Sequence, residues 1–121
     1  ATHQLSAEGL TRTVLTGAAR LLRLPYAGRL APGLPADLTV IKPIEPDPYD
    51  ALVSAHRADV RLTMVDGRAC VGEPELRRVF DATGVSVMAA VLDATPRLLA
   101  HWIGKHLRRM QLQEPGFVVS H

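Results

Sequence analysis

Five histidines, one cysteine and twelve acidic residues are the side chains of this 121-residue sequence that could hold a metal, act as a nucleophile or move a proton. Their spacing decides which of these they can do. His3, His56, His101, His106 and His121 form no His-x-His pair and no His-Glu-x-x-His motif. His101 and His106 lie five residues apart, which at about 100° per residue turns a helix by roughly 500°. They therefore do not share the one-turn face that metal-ligating histidines four apart would share. The histidines read as solvated or hydrogen-bonded imidazoles, and His3 as a surface residue. Cys70 stands between Ala69 and Val71, with no neighbouring histidine or helix start to stabilise a thiolate, and reads as a small buried hydrophobe. A lone cysteine excludes an intrachain disulfide and a cysteine-rich zinc site, and fits a reducing, cytoplasmic location. No catalytic, cofactor-binding or metal-ligating residue is assigned within this chain.

The remaining chemistry-bearing group is basic. Arg97, His101, Lys105, His106, Arg108 and Arg109, with Trp102 among the apolar residues of the same stretch, make an amphipathic segment of the kind that binds anionic membranes or nucleic acid. A solvated basic face on a core-packed helix accounts for the same pattern, and cations near a helix C-terminus also complement its dipole. The formal charge of +2, from 14 basic and 12 acidic residues, gives no global field that points to nucleic acid. No aromatic residues interleave with the cations to stack bases. No stretch approaches the roughly 20 apolar residues of a membrane span, and no basic segment followed by an apolar run opens the chain.

Several elements must position these groups. Ser6 is an N-cap, Glu8 sits in the first turn, and Leu10, Val14, Leu15, Ala18, Leu21 and Leu22 recur at helical spacing, so a helix with one buried apolar face is expected up to about Leu24, where Pro25 stops it. Gly28 and Pro32-Gly33 supply turn geometry ahead of a short β-branched strand, Leu38 to Ile41. Three prolines rule out a central strand over Lys42 to Ser54. Asp47 caps a helical turn there, with Tyr49, Leu52 and Val53 expected to dock as an apolar cluster. Val60 to Val65 alternates as a half-buried strand, and Asp66-Gly67 is the preferred pair for a two-residue hairpin returning through Arg68 to Val71. Pro74 to Phe80 reads as a short helix. Val85 to Leu92 fits either a strand or a buried helix. Thr95-Pro96 is an N-cap and first-turn pair, from which a final helix is expected to run to about Met110 with Leu98, Leu99, Trp102, Ile103, Leu107 and Met110 on its apolar stripe. The tail from Phe117 to His121 is either disordered or a short added strand.

Two ordered segments carry a family resemblance. Gly28-Arg-Leu-Ala-Pro-Gly-Leu-Pro-Ala-Asp-Leu38, continuing to Ile41, resembles the segment that leaves the catalytic barrel of metal-dependent amidohydrolases and enters the small β-sandwich beside it. Ala58-Asp-Val-Arg-Leu-Thr-Met-Val-Asp-Gly-Arg68 resembles the strand, turn and returning strand near the end of such enzymes. Upstream, Leu5 to Leu24 resembles their late barrel helix. In that family Asp37 and Asp66 serve turn and strand geometry, and the resemblance implies the same here.

The resemblance implies a role without the chemistry. Family members hydrolyse carbon-nitrogen bonds other than peptide bonds with metal-activated water, using barrel ligands that include a His-x-His pair and an aspartate after the last strand. None of these ligand motifs occurs in this sequence. A β/α barrel needs roughly 250 residues, so the chain has room for at most its last helix. The expectation is an α+β chain with a small antiparallel β-sheet, like an amidohydrolase composite domain, flanked by an N-terminal and a C-terminal helix. Residues 1–25 would be the barrel-type helix, 26–72 the sandwich-like segment and 73–121 a helical extension. The segment would be inactive by itself. Zinc or another divalent metal would belong to the complete parent enzyme, and the implied partner is the remainder of the barrel, in the same chain or another. The alternatives are a free association module, including a homo-oligomer, and a basic-helix element for anionic surfaces.

Overall fold

A computed structural model of the chain describes residues 5–120. His3 and His121 lie outside the described residues. The first helical segment comprises α1 (Ala7–Arg12), a π-helical turn (Thr13–Gly17) and α2 (Ala18–Leu21). Ser6 caps it as expected, its Oγ accepting from the Gly9 amide at 3.0 Å. The segment ends with Arg23 in the left-handed region, two residues before Pro25.

The expected burial of its apolar face is not found. Leu10, Val14, Leu15, Leu21 and Leu22 are exposed, Leu21 to 87%, whereas Thr11 and Ala19 are the buried positions. Regular winding would set Thr11 and Ala19 roughly 80° apart around the helix. The wider π turn between them removes winding and brings both small residues to the side facing the chain. On the α1 side the neighbour is short, since α3 (Pro48–Ser54) packs on α1, while Ala19 lies beside the Gly28 turn. Asp47 caps α3, with Oδ1 accepting from the amides of Tyr49 and Asp50 at 2.9 and 3.1 Å. The expected docking cluster on α3 is corrected, because Tyr49, Leu52 and Val53 are exposed and Ala51 is the buried residue. A seven-residue helix against a two-turn neighbour has space for a methyl group between backbones and leaves longer side chains outside.

The rest of the chain is one antiparallel sheet of six strands, ordered β1-β2-β3-β5-β4-β6. β1 (Leu38–Ile41) pairs with β2 (Val60–Val65), which returns as β3 (Arg68–Gly72). Asp66 and Gly67 both adopt positive φ, at 49° and 73°, the two-residue hairpin expected from Asp-Gly. A 3-10 turn (Pro74–Leu76) and α4 (Arg77–Ala82) then cross over the sheet to β4 (Val87–Leu92) and β5 (Thr95–Ala100). The sheet crosses the expected boundary at residue 72, since Val71 and Gly72 pair with Leu99 and Leu98. β4 also pairs with β6 (Phe117–Val119), so the tail is an added strand.

The final helix is corrected at its start. Thr95–Ala100 is β5, and α5 spans only His101–Met110. Arg97, expected on the helix, stands on the strand. Asp93 and Ala94 take positive φ, forming a tight turn without glycine, and six residues of β5 pair along β4. Ladder bonds on β4 and in part on β3 outweigh the local capping signal of Thr95-Pro96.

Cross-strand pairs sort the two faces. Leu62, Met64, Ala69, Leu98, Ala100 and Val87 form one face, covered by Phe80, Val79, Leu76 and Val85, with Phe80 fully buried. On the other face, Leu99 and Arg97 are buried opposite Met88 and Ala90. α5 packs here through Gly104, where a Cβ would overlap Met88 Sδ. Arg97, only 4% exposed, donates from its guanidinium to the carbonyls of Pro96 at 3.0 Å and Ala58 at 3.2 Å. The bond to Ala58 ties the sheet to the 3-10 turn Arg57–Asp59, and the two bonds together satisfy a charge that would otherwise be strongly unfavourable inside.

Candidate functional site

The groups weighed from sequence fall in different places. Asp37 and Asp66 come together at the hairpin, where Asp37 Oδ1 accepts from the Asp66 amide at 2.7 Å and the Gly67 amide donates to the Ala36 carbonyl at 3.1 Å. These bonds hold the entry to β1 against the β2–β3 turn. Cys70 is buried, its thiol directed to the Arg68 carbonyl. The His56 backbone amide donates to Asp59 at 2.9 Å, starting the 3-10 turn. His101 and His106 are exposed on α5. Among the described residues no group of three or more histidine, cysteine, aspartate or glutamate side chains could hold a metal ion.

Two arrangements had no sequence signal. The first is a clamp: Arg57 donates from Nε and Nη2 to the two carboxylate oxygens of Asp93 at 2.9 and 2.6 Å, from Nη1 to Glu114 at 3.2 Å and from Nη2 to the Pro115 carbonyl at 2.7 Å. The partners lie 36 to 58 residues away in sequence. The hydrogen bond from Arg57 lowers the Asp93 pKa against an opposing desolvation effect, and the same bond raises that of Arg57. The clamp fastens the β4–β5 turn and the tail to the 3-10 turn. It is a tie between elements rather than a reaction centre.

The second is a pair of adjoining hollows. Gly84, Val85 and Ser86, between α4 and β4, line both. One, of about 450 Å³, is completed by Arg77, Asp81 and Val87; the other, of about 220 Å³, by Arg68, His101 and Trp102. The chain's one tryptophan is 51% exposed, with the Arg68 guanidinium over its ring, 5.5 Å from the centroid. That stacking is a cation-π contact, which fixes a long cationic side chain on a rigid plate. α5 opens at the rim with no side-chain cap and no acidic residue in its first turn. The sequence pattern had placed Trp102 on an apolar stripe, and only folding brings Arg68 to it, from 34 residues earlier.

Compared with protein-family models, with curated proteins and with solved structures, the chain matches none.

Proposed function

We propose that this chain is the non-catalytic carboxyl-terminal part of a metal-dependent amidohydrolase that hydrolyses carbon-nitrogen bonds other than peptide bonds. The observation that carries the reading is the uncovered apolar stripe of the first helical segment, which stands immediately before the family-like Gly28 to Ile41 segment. Four exposed leucines and a valine on one short helical segment, Leu10, Val14, Leu15, Leu21 and Leu22, mark a face that another body covers. In the proposed assembly that body is the catalytic barrel. The metal in the complete enzyme would lower the pKa of its bound water and polarise the scissile carbonyl. This chain supplies none of those ligands and acts as scaffold.

The test is made on the product of the native reading frame. A protein of barrel-enzyme size, with hydrolysis of cyclic amides that is lost on chelation and restored by zinc, is the expected result. A native product near 13 kDa, or a larger one without such hydrolysis, overturns the reading. The same stripe favours a second reading, a free module that self-associates. Sedimentation distinguishes it: a native product of this size whose mass doubles with concentration supports the second reading, and a monomer over a wide range removes it.

A further inference from the structure

We propose that the outward face of α5, with Arg68 beside it, is a peripheral docking surface for a membrane leaflet that contains anionic phospholipid. The inference rests on residues outside the segments that carry the amidohydrolase reading, apart from Arg68, and does not depend on that reading.

Three observations support this partner. The first is where the apolar residues of α5 point. The stripe that reads as core-facing in sequence is split: Gly104 is buried and Ile103 and Leu107 are half-buried, whereas Trp102 and Met110 are 51% and 52% exposed. At about 100° per residue, Trp102, Lys105, His106, Arg109 and Met110 all lie within about 80° of the direction opposite Gly104. Leu112, just past the left-handed Gln111 that ends the helix, is exposed as well. Solvation accounts for the cations of this face and leaves its tryptophan and methionine without a partner. The second observation is charge. Between Asp93 and Glu114 the sequence contains no aspartate or glutamate, and those two carboxylates are both held by Arg57. Lys105, Arg108 and Arg109 therefore share α5 with no acidic residue, and Arg68 adds a cation from β3. Such a cluster complements anionic headgroups. Third, the apolar side chains suit a shallow interface. Trp102 and Met110 stand roughly 12 Å apart along the axis, at about 1.5 Å per residue, so a helix lying flat reaches the leaflet with both. An indole ring belongs at headgroup depth, and the aliphatic stems of lysine and arginine let their charges stay with the phosphates. Nucleic acid would meet the same cations but offers nothing to Met110 and Leu112, and Arg68 already stands over the Trp102 ring, 5.5 Å from its centroid, where a base would stack.

The single tryptophan makes the test direct. Vesicles of phosphatidylcholine alone, and of phosphatidylcholine with an equal amount of phosphatidylserine, are titrated into the 121-residue chain, with co-flotation as one readout and Trp102 fluorescence as the other. The expected result is saturable binding to the phosphatidylserine vesicles, with a blue-shifted Trp102 emission shielded from an aqueous quencher, little binding to phosphatidylcholine, and loss of affinity as salt is raised. Lys105→Gln combined with Arg109→Gln, both at exposed positions, should weaken binding about 25-fold, roughly fivefold for each cation. Trp102→Ala should weaken it in the flotation readout. Arg20→Gln combined with Arg29→Gln makes the same change of charge at exposed positions elsewhere and should leave binding as it was. Equal binding to the two kinds of vesicle, binding to neither, or equal losses in the two double variants overturns the proposal. Binding of polyuridylate or polyglutamate with none of the vesicles also overturns it, because the cations would then serve nucleic acid or an acidic protein.

Discussion

Replacing Gly28 by alanine should destabilise the chain by about 2–5 kcal/mol, and the structure separates that figure into two parts. Gly28 has φ of 84°, a left-handed conformation that an L side chain adopts at a penalty of about 1–2 kcal/mol. A Cβ there would also stand 2.7 Å from the Leu15 carbonyl oxygen and 2.9 Å from Ala19 Cβ. Both neighbours belong to the helical segment, so relief requires a backbone shift, and such overpacking typically adds about 1–3 kcal/mol. Gly33 is the internal control. It has the same φ of 84°, but a Cβ there meets nothing within 4 Å, so Gly33→Ala should lose only the conformational part, about 1–2 kcal/mol. Urea unfolding followed by far-ultraviolet circular dichroism gives both values from midpoints at a common slope. Equal losses for the two variants would refute the reasoning, since they would show that the helix does not press on the turn. A loss below 1 kcal/mol for Gly28→Ala would do the same. The Gly28 contact thus holds the turn against the helical segment that carries the exposed stripe.

Two further outcomes follow from the hairpin link and the clamp. Asp37→Ala removes the acceptor for the Asp66 amide and should lower stability by about 1 kcal/mol, while Asp37→Asn, which keeps an acceptor oxygen, should retain most of it; unfolding midpoints of the pair decide. The Arg57 hydrogen bond holds the Asp93 carboxyl below its ordinary pKa, so the clamp's contribution is present above the unfolded value of about 3.9 and is lost as pH falls through the lower folded value. A carbon-13 titration of Asp93 should therefore show a depressed midpoint that moves upward in Arg57→Gln, and an unchanged midpoint in that variant would reject the ion pair.

The parts of the fold that were legible in sequence are those whose physics is local. Asp66-Gly67 contains its own turn geometry, Asp47-Pro48 its own cap, and Leu38 to Ile41 its own bounds. The alternation of Val60 to Val65 then needs only one wet face to become β2. β5 fails for the opposite reason. Leu98 and Leu99 fit a helical stripe as well as a strand, Thr95-Pro96 imitates a helix start, and the turn that makes it a strand uses Asp93-Ala94 with no glycine to announce it. Its decisive partners are the β4 ladder and Val71 with Gly72 on β3, the latter 26 to 28 residues earlier. Proline at position 96 is tolerated because it lies beyond the short stretch of β5 that pairs with β3.

The first helix and the candidate site show a different limit. An amphipathic period says that a face will be covered without saying by what. Here the main packing on α1 from outside its own helical segment, among the described residues, is α3, and the π turn places Thr11 and Ala19 against the chain, so Leu10, Val14, Leu15, Leu21 and Leu22 remain outside. The hollow was less legible still. Arg68 follows the hairpin turn, Arg77 begins α4, and Trp102 opens α5, three positions that local rules assign to solvent or core separately. They meet because α4 crosses the sheet and β5 inserts between β3 and β4, which carries the start of α5 to the side of Arg68. Topology, rather than any motif, therefore assembles the two hollows along residues 84–87.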